Sequence, residues 1–311
     1  MNKKQTLYLP EGAKIQTKEN EAMVKNLDGI KAAFENRIIL EGLVTLCDSN
    51  QNLTVKMGNF TGIIPKNECA LGVNEGLVPD IAIISKVGKP ISFMIEAIDG
   101  SRLLLSRAHA QRLAMERYVA KLQPGMIIPA VISHLEPFGA FVDVANGINS
   151  FIPIENISVS RISHPRDRFA VGESIFVVAV RYDNTEKRLY ISHRELLGSW
   201  SENAVQFSIG STVTGIVRSV ESYGYFIEIA PNLSGLADLQ DNLQVGDTVS
   251  VYIKNILPEK MKIKLVVIEK LAQQQNFRLP LHYFMNEGTL KHFIYTPAVC
   301  TKKTVETIFI S

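Results

Sequence analysis

Downstream of Gly125 the chain alternates short apolar runs with polar breaks: MIIPAVISHL, GAFVDV, INSFIP, SIFVVAV and RLYIS, separated by Gly, Asn, Pro or Asp. Runs of this length, rich in β-branched and aromatic residues, predict strands. Five short strands with one longer connection predict a small closed Greek-key barrel of the oligonucleotide-binding (OB) type. An SH3-like barrel fits the same strand count.

The pattern recurs. FGAFVDV at Phe138 returns as YGYFIEI at Tyr223, 85 positions on, and Gly125 returns as Gly210 at the same spacing. VGES at Val171 and VGDT at Val245 lie 74 apart, as do KRLYIS at Lys187 and MKIKLV at Met261. A constant offset that changes once, inside a polar loop, is the mark of duplication with an 11-residue loop deletion. A fainter copy lies upstream: TGIIP at Thr61 echoes NSFIP, VGKP at Val87 echoes VGES, and RLLLS at Arg102 echoes RLYIS. Between copies, RAHAQRLAMERYVAKL and HRELLGSWSENAVQF are rich in helix formers and predict connecting helices.

The expected organisation is all-β: tandem five-stranded barrels joined by short helices. An N-terminal arm (1–36) precedes a degenerate barrel (37–108), a linker helix (109–122), a second barrel (123–197), a linker (198–206), a third barrel (207–268) and a C-terminal extension (269–311).

Two phenylalanines sit three residues apart at Phe138 and Phe141, with Gly139 and Ala140 between them. Strict alternation sends them to opposite faces, but a glycine inside a strand commonly marks a bulge, and one extra residue would bring both rings outward. The third copy keeps the spacing in Tyr223, Gly224 and Phe226. Two rings on an open barrel face form a platform on which unpaired bases stack, worth about 1–3 kcal/mol per base. A core role for the rings is the alternative; retention of the spacing while apolar neighbours vary favours the platform.

Composition changes this picture little. A net charge of +2 over 311 residues, without a polybasic tract, neither requires nor excludes a nucleic-acid partner. Cys47, Cys69 and Cys300 are odd in number and far apart, which points to reduced structural thiols. No apolar run reaches the roughly 18 residues of a spanning helix, so a cytoplasmic location without membrane contact is expected. No cofactor is expected, since the six histidines lack metal-ligand spacing and no nucleophile-elbow or phosphate-loop motif occurs.

GMIIPAVISHLEPFGAFVDVANGINSFIPIENIS, then VGESIFVVAV, then DNTEKRLYIS, resembles the S1 RNA-binding domain, the OB-fold module repeated in ribosomal protein S1. The resemblance is strong over 123–197, clear over 207–268 and weak over 37–108. It implies an RNA surface at Phe138, Phe141, Asp183 and Arg188 in the second copy, and at Tyr223, Phe226 and Lys262 in the third. A histidine typical of the family is replaced by Pro153 and Asp238, and the family's aspartate position in the third copy holds Leu257. Weaker RNA binding is therefore expected of the third copy. In the first copy Asn50 and Leu53 take the ring positions, so no platform is expected there, and docking to a protein partner or serving as a spacer is the role left open.

Arg161, Arg166 and Arg168 in SRISHPRDRF are candidates to embrace phosphates beside the rings, with a solvated loop as the alternative. Trp200 reads as an anchor between helix and barrel. Residues 1–36 read as a flexible arm. The tail, with two strand-like runs around a turn at Asn286–Gly288, carries no motif, and packing on the third barrel or a small interaction unit of its own are the readings left open. The functional expectation is a non-catalytic binder of single-stranded RNA (mRNA), acting free or at the small ribosomal subunit. The alternatives are an accessory subunit that recruits a ribonuclease or transcription complex, and an unrecognised hydrolase.

Overall fold

The computed structural model describes residues 8–100, 102–239, 243–272, 277–302 and 304–310. Three closed five-stranded barrels follow one another along the chain. The first comprises β1 (Leu40–Cys47), β2 (Leu53–Met57), β3 (Phe60–Ile64), β4 (Pro90–Asp99) and β5 (Arg102–Ser106). The second comprises β6 (Ile127–Glu136), β7 (Gly139–Ala145), β8 (Ile148–Pro153), β9 (Ser174–Asp183) and β10 (Arg188–Ser192). The third comprises β11 (Thr212–Glu221), β12 (Gly224–Ala230), β13 (Leu233–Ala237), β14 (Thr248–Leu257) and β15 (Lys262–Lys270).

Each barrel closes in the same way: the first three strands form a meander, the first pairs with the fourth, and the third runs parallel to the fifth. Period-two alternation sends Ile132, Ala140, Val142, Ile152, Val177, Leu189 and Ile191 into the second barrel, where all are essentially inaccessible. The first and third barrels bury their own clusters, around Leu53, Val55, Phe93 and Leu105, and around Val217, Ile227, Val251 and Leu265.

The helix formers give α4 (Arg107–Arg117) between the first two barrels and the short α5 (Trp200–Ala204), preceded by a 3-10 turn, between the last two. Ser106 caps α4 by accepting from the His109 N–H, and Ser199 and Glu202 form a reciprocal capping box on α5. Trp200 lies inside the third barrel's apolar cluster. Among the described residues no helix is long and apolar enough to cross a membrane.

The upstream end differs from expectation. Upstream, α1 (Lys18–Met23) and α2 (Leu27–Glu35) precede the first barrel, within which α3 (Asp80–Ile84) connects β3 to β4, and Val24, Ile30 and Ala33 join its core. Glu11 is clamped by Arg107, with Nε at 2.6 Å and Nη2 at 2.9 Å, and its own N–H donates to Asp143 in the second barrel at 2.7 Å. The arm is thus a strap across two barrels. Burial opposes the charge on Glu11, but Arg107 and Lys86 outweigh it and hold the carboxyl well below its ordinary value. Asp143 is pushed up, by burial first and by the Glu11 charge second.

Downstream, the tail packs between the second and third barrels. Tyr283 reaches His193 at 3.0 Å, Phe293 and Tyr295 complete the third barrel's core, and the Tyr295 hydroxyl donates to the Asn232 carbonyl at 2.5 Å. The strands found there, β16 (His292–Ile294) and β17 (Glu306–Ile308), pair with each other beyond the predicted turn rather than flanking it.

Candidate nucleic-acid interface

The β6–β7 hairpin turns on Pro137 and Phe138, with Glu136 paired to Gly139. Gly139 therefore opens a strand and is not the site of a bulge. The irregularity lies across the ladder, between Ile132 and His134. Gly139 has a different reason: a Cβ there would lie 2.3 Å from the Ile152 carbonyl oxygen and 2.4 Å from the Phe151 ring. Both rings nevertheless reach the outer surface, Phe138 at 59% exposure from the turn and Phe141, half-buried, from the strand.

Two further rings, which the motif comparison missed, join them. Phe151 pairs directly with Phe141, and Tyr190 pairs with Phe151. Ring centroids are 5.0 Å apart for Phe141 and Phe151, 5.6 Å for Phe138 and Phe151, and 6.4 Å for Phe138 and Phe141. Alternation alone carries the signal: Ile152 points inward, so Phe151 points out, and Leu189 and Ile191 do the same for Tyr190. His134 extends the row on β6 and Arg181 on β9. His134, Phe141, Phe151, Tyr190 and Arg181 thus occupy one register level on all five strands. Beside this girdle lies a hollow lined by Phe141, Phe151, Asn149, Lys187 and Arg188.

Arg188 is exposed and sits opposite Asp183 in the last hairpin. Asp183 does not pair with it: the carboxylate accepts from the backbone N–H groups of Thr185 and Glu186 and from Arg181 at 3.0 Å. Those bonds, led by Glu186 and then Arg181, hold the Asp183 carboxyl below its ordinary value. Its work is to shape the turn and fix Arg181.

The arginine loop needs correction. Arg168 is wholly buried and binds Glu228 of the third barrel through both terminal nitrogens. Glu228 also accepts from Arg218 at 2.7 Å, and Arg218 meets Asp167 at 2.9 Å. A guanidinium enclosed in this network cannot reach a phosphate. Val159 N–H and the Ser158 hydroxyl donate to Asn232 from the same loop, which therefore joins barrel to barrel. Arg161 and Arg166 stay exposed on that loop.

The same register level in the third barrel reads Ser219, Phe226, Leu236, Lys264 and Asn255, with Tyr223 on the turn 6.3 Å from Phe226. It keeps two rings and puts Lys264 where the second barrel has Tyr190. Lys262 is exposed opposite Leu257. In the first barrel the level reads Leu46, Thr54, Ile63, Leu104 and Ala97. Thr54, not Leu53, is the counterpart of Phe141, and Leu53 is fully buried. A slip of one residue exchanges the faces of a strand, which is how the weak repeat misplaced it. Leu46, Ile63 and Leu104 are 55%, 47% and 43% exposed.

Fold and girdles together define a tandem array of OB-type barrels, one of them faced with aromatic rings. Residues 121–194, the second of these barrels, match the family described as the S1 RNA binding domain. Small ribosomal subunit protein bS1 of Leuconostoc lactis is 28% identical over 278 residues, covering 82% of this chain and 63% of that one. The bS1 protein of Chlamydia muridarum is 27% identical over 213 residues, 64% of this chain and 37% of that one. A 4-hydroxy-3-methylbut-2-enyl diphosphate reductase of Fusobacterium nucleatum is 28% identical over 268 residues, 80% of this chain and 31% of that one. The chain thus spans between about a third and two thirds of these relatives' lengths. Among solved structures, a multidomain protein with nucleic acid binding domains from Streptococcus pneumoniae is aligned over 76% of this chain and 75% of that one, at 11% identity and a TM-score of 0.24.

Proposed function

We propose that this protein is a non-catalytic binder of single-stranded RNA that holds bases by stacking on the second barrel, with the third barrel as a weaker, more electrostatic second site. The observation that carries the reading is the girdle: Phe138, Phe141 and Phe151 form a contiguous outward cluster that the barrel core does not use. Outward rings next to Arg188 have the composition expected of a surface for unpaired bases and their phosphates. Duplexes keep their bases stacked and offer nothing to such a surface. The relatives named bS1 are small ribosomal subunit proteins, and on that likeness mRNA, free or at the small subunit in the cytoplasm, is the proposed partner.

The test is a titration of the full chain with a single-stranded oligoribonucleotide and with its duplex. Binding of the single strand alone, weakened by Phe138→Ala with Phe141→Ala, supports the reading. Equal affinity for the duplex, or turnover of RNA by the purified protein, overturns it.

A second reading rests on the first barrel. An exposed row of Leu46, Ile63 and Leu104 in place of rings suits a protein partner rather than RNA, so recruitment of another protein through this barrel is proposed alongside RNA binding. A complex that survives nuclease treatment and is lost on replacing that row by serine supports it.

A further inference from the structure

The girdle of the second barrel does not end at the phenylalanines. Tyr190 stands beside Phe151, and Arg181 stands beside Tyr190 with its guanidinium carbon 3.8 Å from the ring centre. The arrangement is tethered on every side. Arg181 Nη1 donates to Asp183 at 3.0 Å. Asp183 is held by the N–H groups of Thr185 and Glu186, and the Tyr190 hydroxyl donates to Glu186 at 2.7 Å. Asp183 and the ring hold the guanidinium on one side, while the side chain remains 55% exposed.

We propose that Tyr190 and Arg181 form a second nucleobase subsite, in which the outer plane of the Arg181 guanidinium stacks on a base of the same RNA strand that lies on Phe141 and Phe151. This rests on the second barrel being an RNA surface. Guanidinium planes accept stacked bases much as aromatic rings do. An arginine already fixed by a carboxylate and a ring has little freedom left to lose on binding, so the contact is preorganised. Three strand spacings of roughly 4.8 Å separate Phe141 from Arg181. The strand must therefore be several nucleotides long to occupy both subsites. Arg188, whose guanidinium carbon is 5.5 Å from the Tyr190 ring, stands between them to meet the connecting phosphate. The third barrel has Lys264 and Asn255 at these positions and lacks the subsite.

The experiment uses the full chain in a Tyr223→Ala/Phe226→Ala background, which leaves the second barrel as the site read. Fluorescent oligouridines of two and of six nucleotides are the probes. Arg181→Ala should weaken the hexanucleotide about 5–10-fold and the dinucleotide less than 2-fold. Arg181→Lys, which keeps charge but not the plane, should lose as much as alanine. Rescue by lysine, or equal losses on both lengths, or no loss on either, overturns the subsite. Phe138→Ala/Phe141→Ala in the same background separates the two ideas: if it leaves hexanucleotide binding unchanged, the RNA reading itself fails. If it abolishes binding while both Arg181 variants bind as the parent does, only the subsite fails. Melting temperatures of the Arg181 variants, on an exposed side chain, should match the parent.

Discussion

Phe151 lies directly across the β7–β8 ladder from Phe141, with ring centroids 5.0 Å apart, and its ring fills the space that a side chain on Gly139 would need. The glycine of the FGAF motif is thereby explained by a ring on the neighbouring strand, two residues from its own partner Pro153. Phe151→Ala should cost RNA affinity by about 1–3 kcal/mol, roughly 5- to 150-fold, if one base rests on it. Titration with a hexauridine beside a thermal melt checks this; lost affinity at a preserved melting temperature is the expected result. Gly139→Ala should lose both together, because its Cβ collides with the Ile152 carbonyl as well as the ring.

Breaking the buried Arg168–Glu228 pair should destabilise the joint between the second and third barrels. Removing Arg168 takes away two of the hydrogen bonds to the enclosed Glu228 carboxylate and leaves it to Arg218 alone, at a cost of up to about 3–5 kcal/mol. Arg168→Met should therefore lower the melting temperature markedly, and adding Glu228→Leu should recover part of the loss. RNA affinity of the second barrel should not follow, since Arg168 cannot touch the strand. A selective loss of RNA binding without a stability change would restore Arg168 to the binding surface.

Salt separates the two barrels. The slope of log affinity against log salt is about −0.7 per phosphate neutralised on a single strand. Lys262→Ala with Lys264→Ala should flatten the slope of the full chain by about 1.4 on that basis. Phe138→Ala with Phe141→Ala should weaken binding and leave the slope nearly unchanged.

Acidification should loosen the tail through His193. The ring is buried, with Nδ1 at the Ile157 carbonyl and Nε2 at the Tyr283 hydroxyl. Burial pushes its pKa down to about 4, against the Ile157 hydrogen bond and assisted by the charge of Arg168. A depressed pKa gives stability that is complete above the unfolded value near 6.5 and declines as pH falls toward 4, about 3 kcal/mol in all. Asp143, whose pKa is raised, works with the opposite sign and gains as pH falls. The measurement is therefore the difference between wild type and His193→Gln in melts at pH 7.5 and 5, and the wild type should lose more on acidification.

The first barrel's row should be silent toward RNA. Serine at Leu46, Ile63 and Leu104 should leave oligouridine affinity within 2-fold of wild type. A larger loss would place RNA on an aliphatic face.

Strands and barrels were legible because alternation, turn residues and a repeated order all agreed, and the strand residues of each core follow from the period. The candidate site is legible only at the positions that the resemblance marks. Phe151 and Tyr190 lie inside the SFIP and RLYIS segments, at positions to which the resemblance assigns no RNA contact, yet the buried residues on either side of each fix their direction. Arg168 was not legible, because its burial depends on Glu228, a residue of the next barrel whose approach no local pattern encodes. The first copy's face was misjudged by one position in a weak alignment, enough to exchange Thr54 for Leu53. The upstream arm reads as loose because its apolar residues, among them Tyr8, find partners only after the barrels are built, whereas the tail, for which packing on the third barrel is one of two readings, does pack there through Phe293 and Tyr295.

Those ends set an order of events during synthesis. Domains generally fold in turn as a chain emerges from its N-terminus, but Glu11 is made well before Arg107 and Asp143 and must wait for both before its charge is matched. The third barrel in turn lacks Phe293 and Tyr295 until long after its last strand has emerged. A pause in translation between Lys270 and Leu290 would therefore leave the third barrel with an open, apolar flank, within reach of proteases and chaperones.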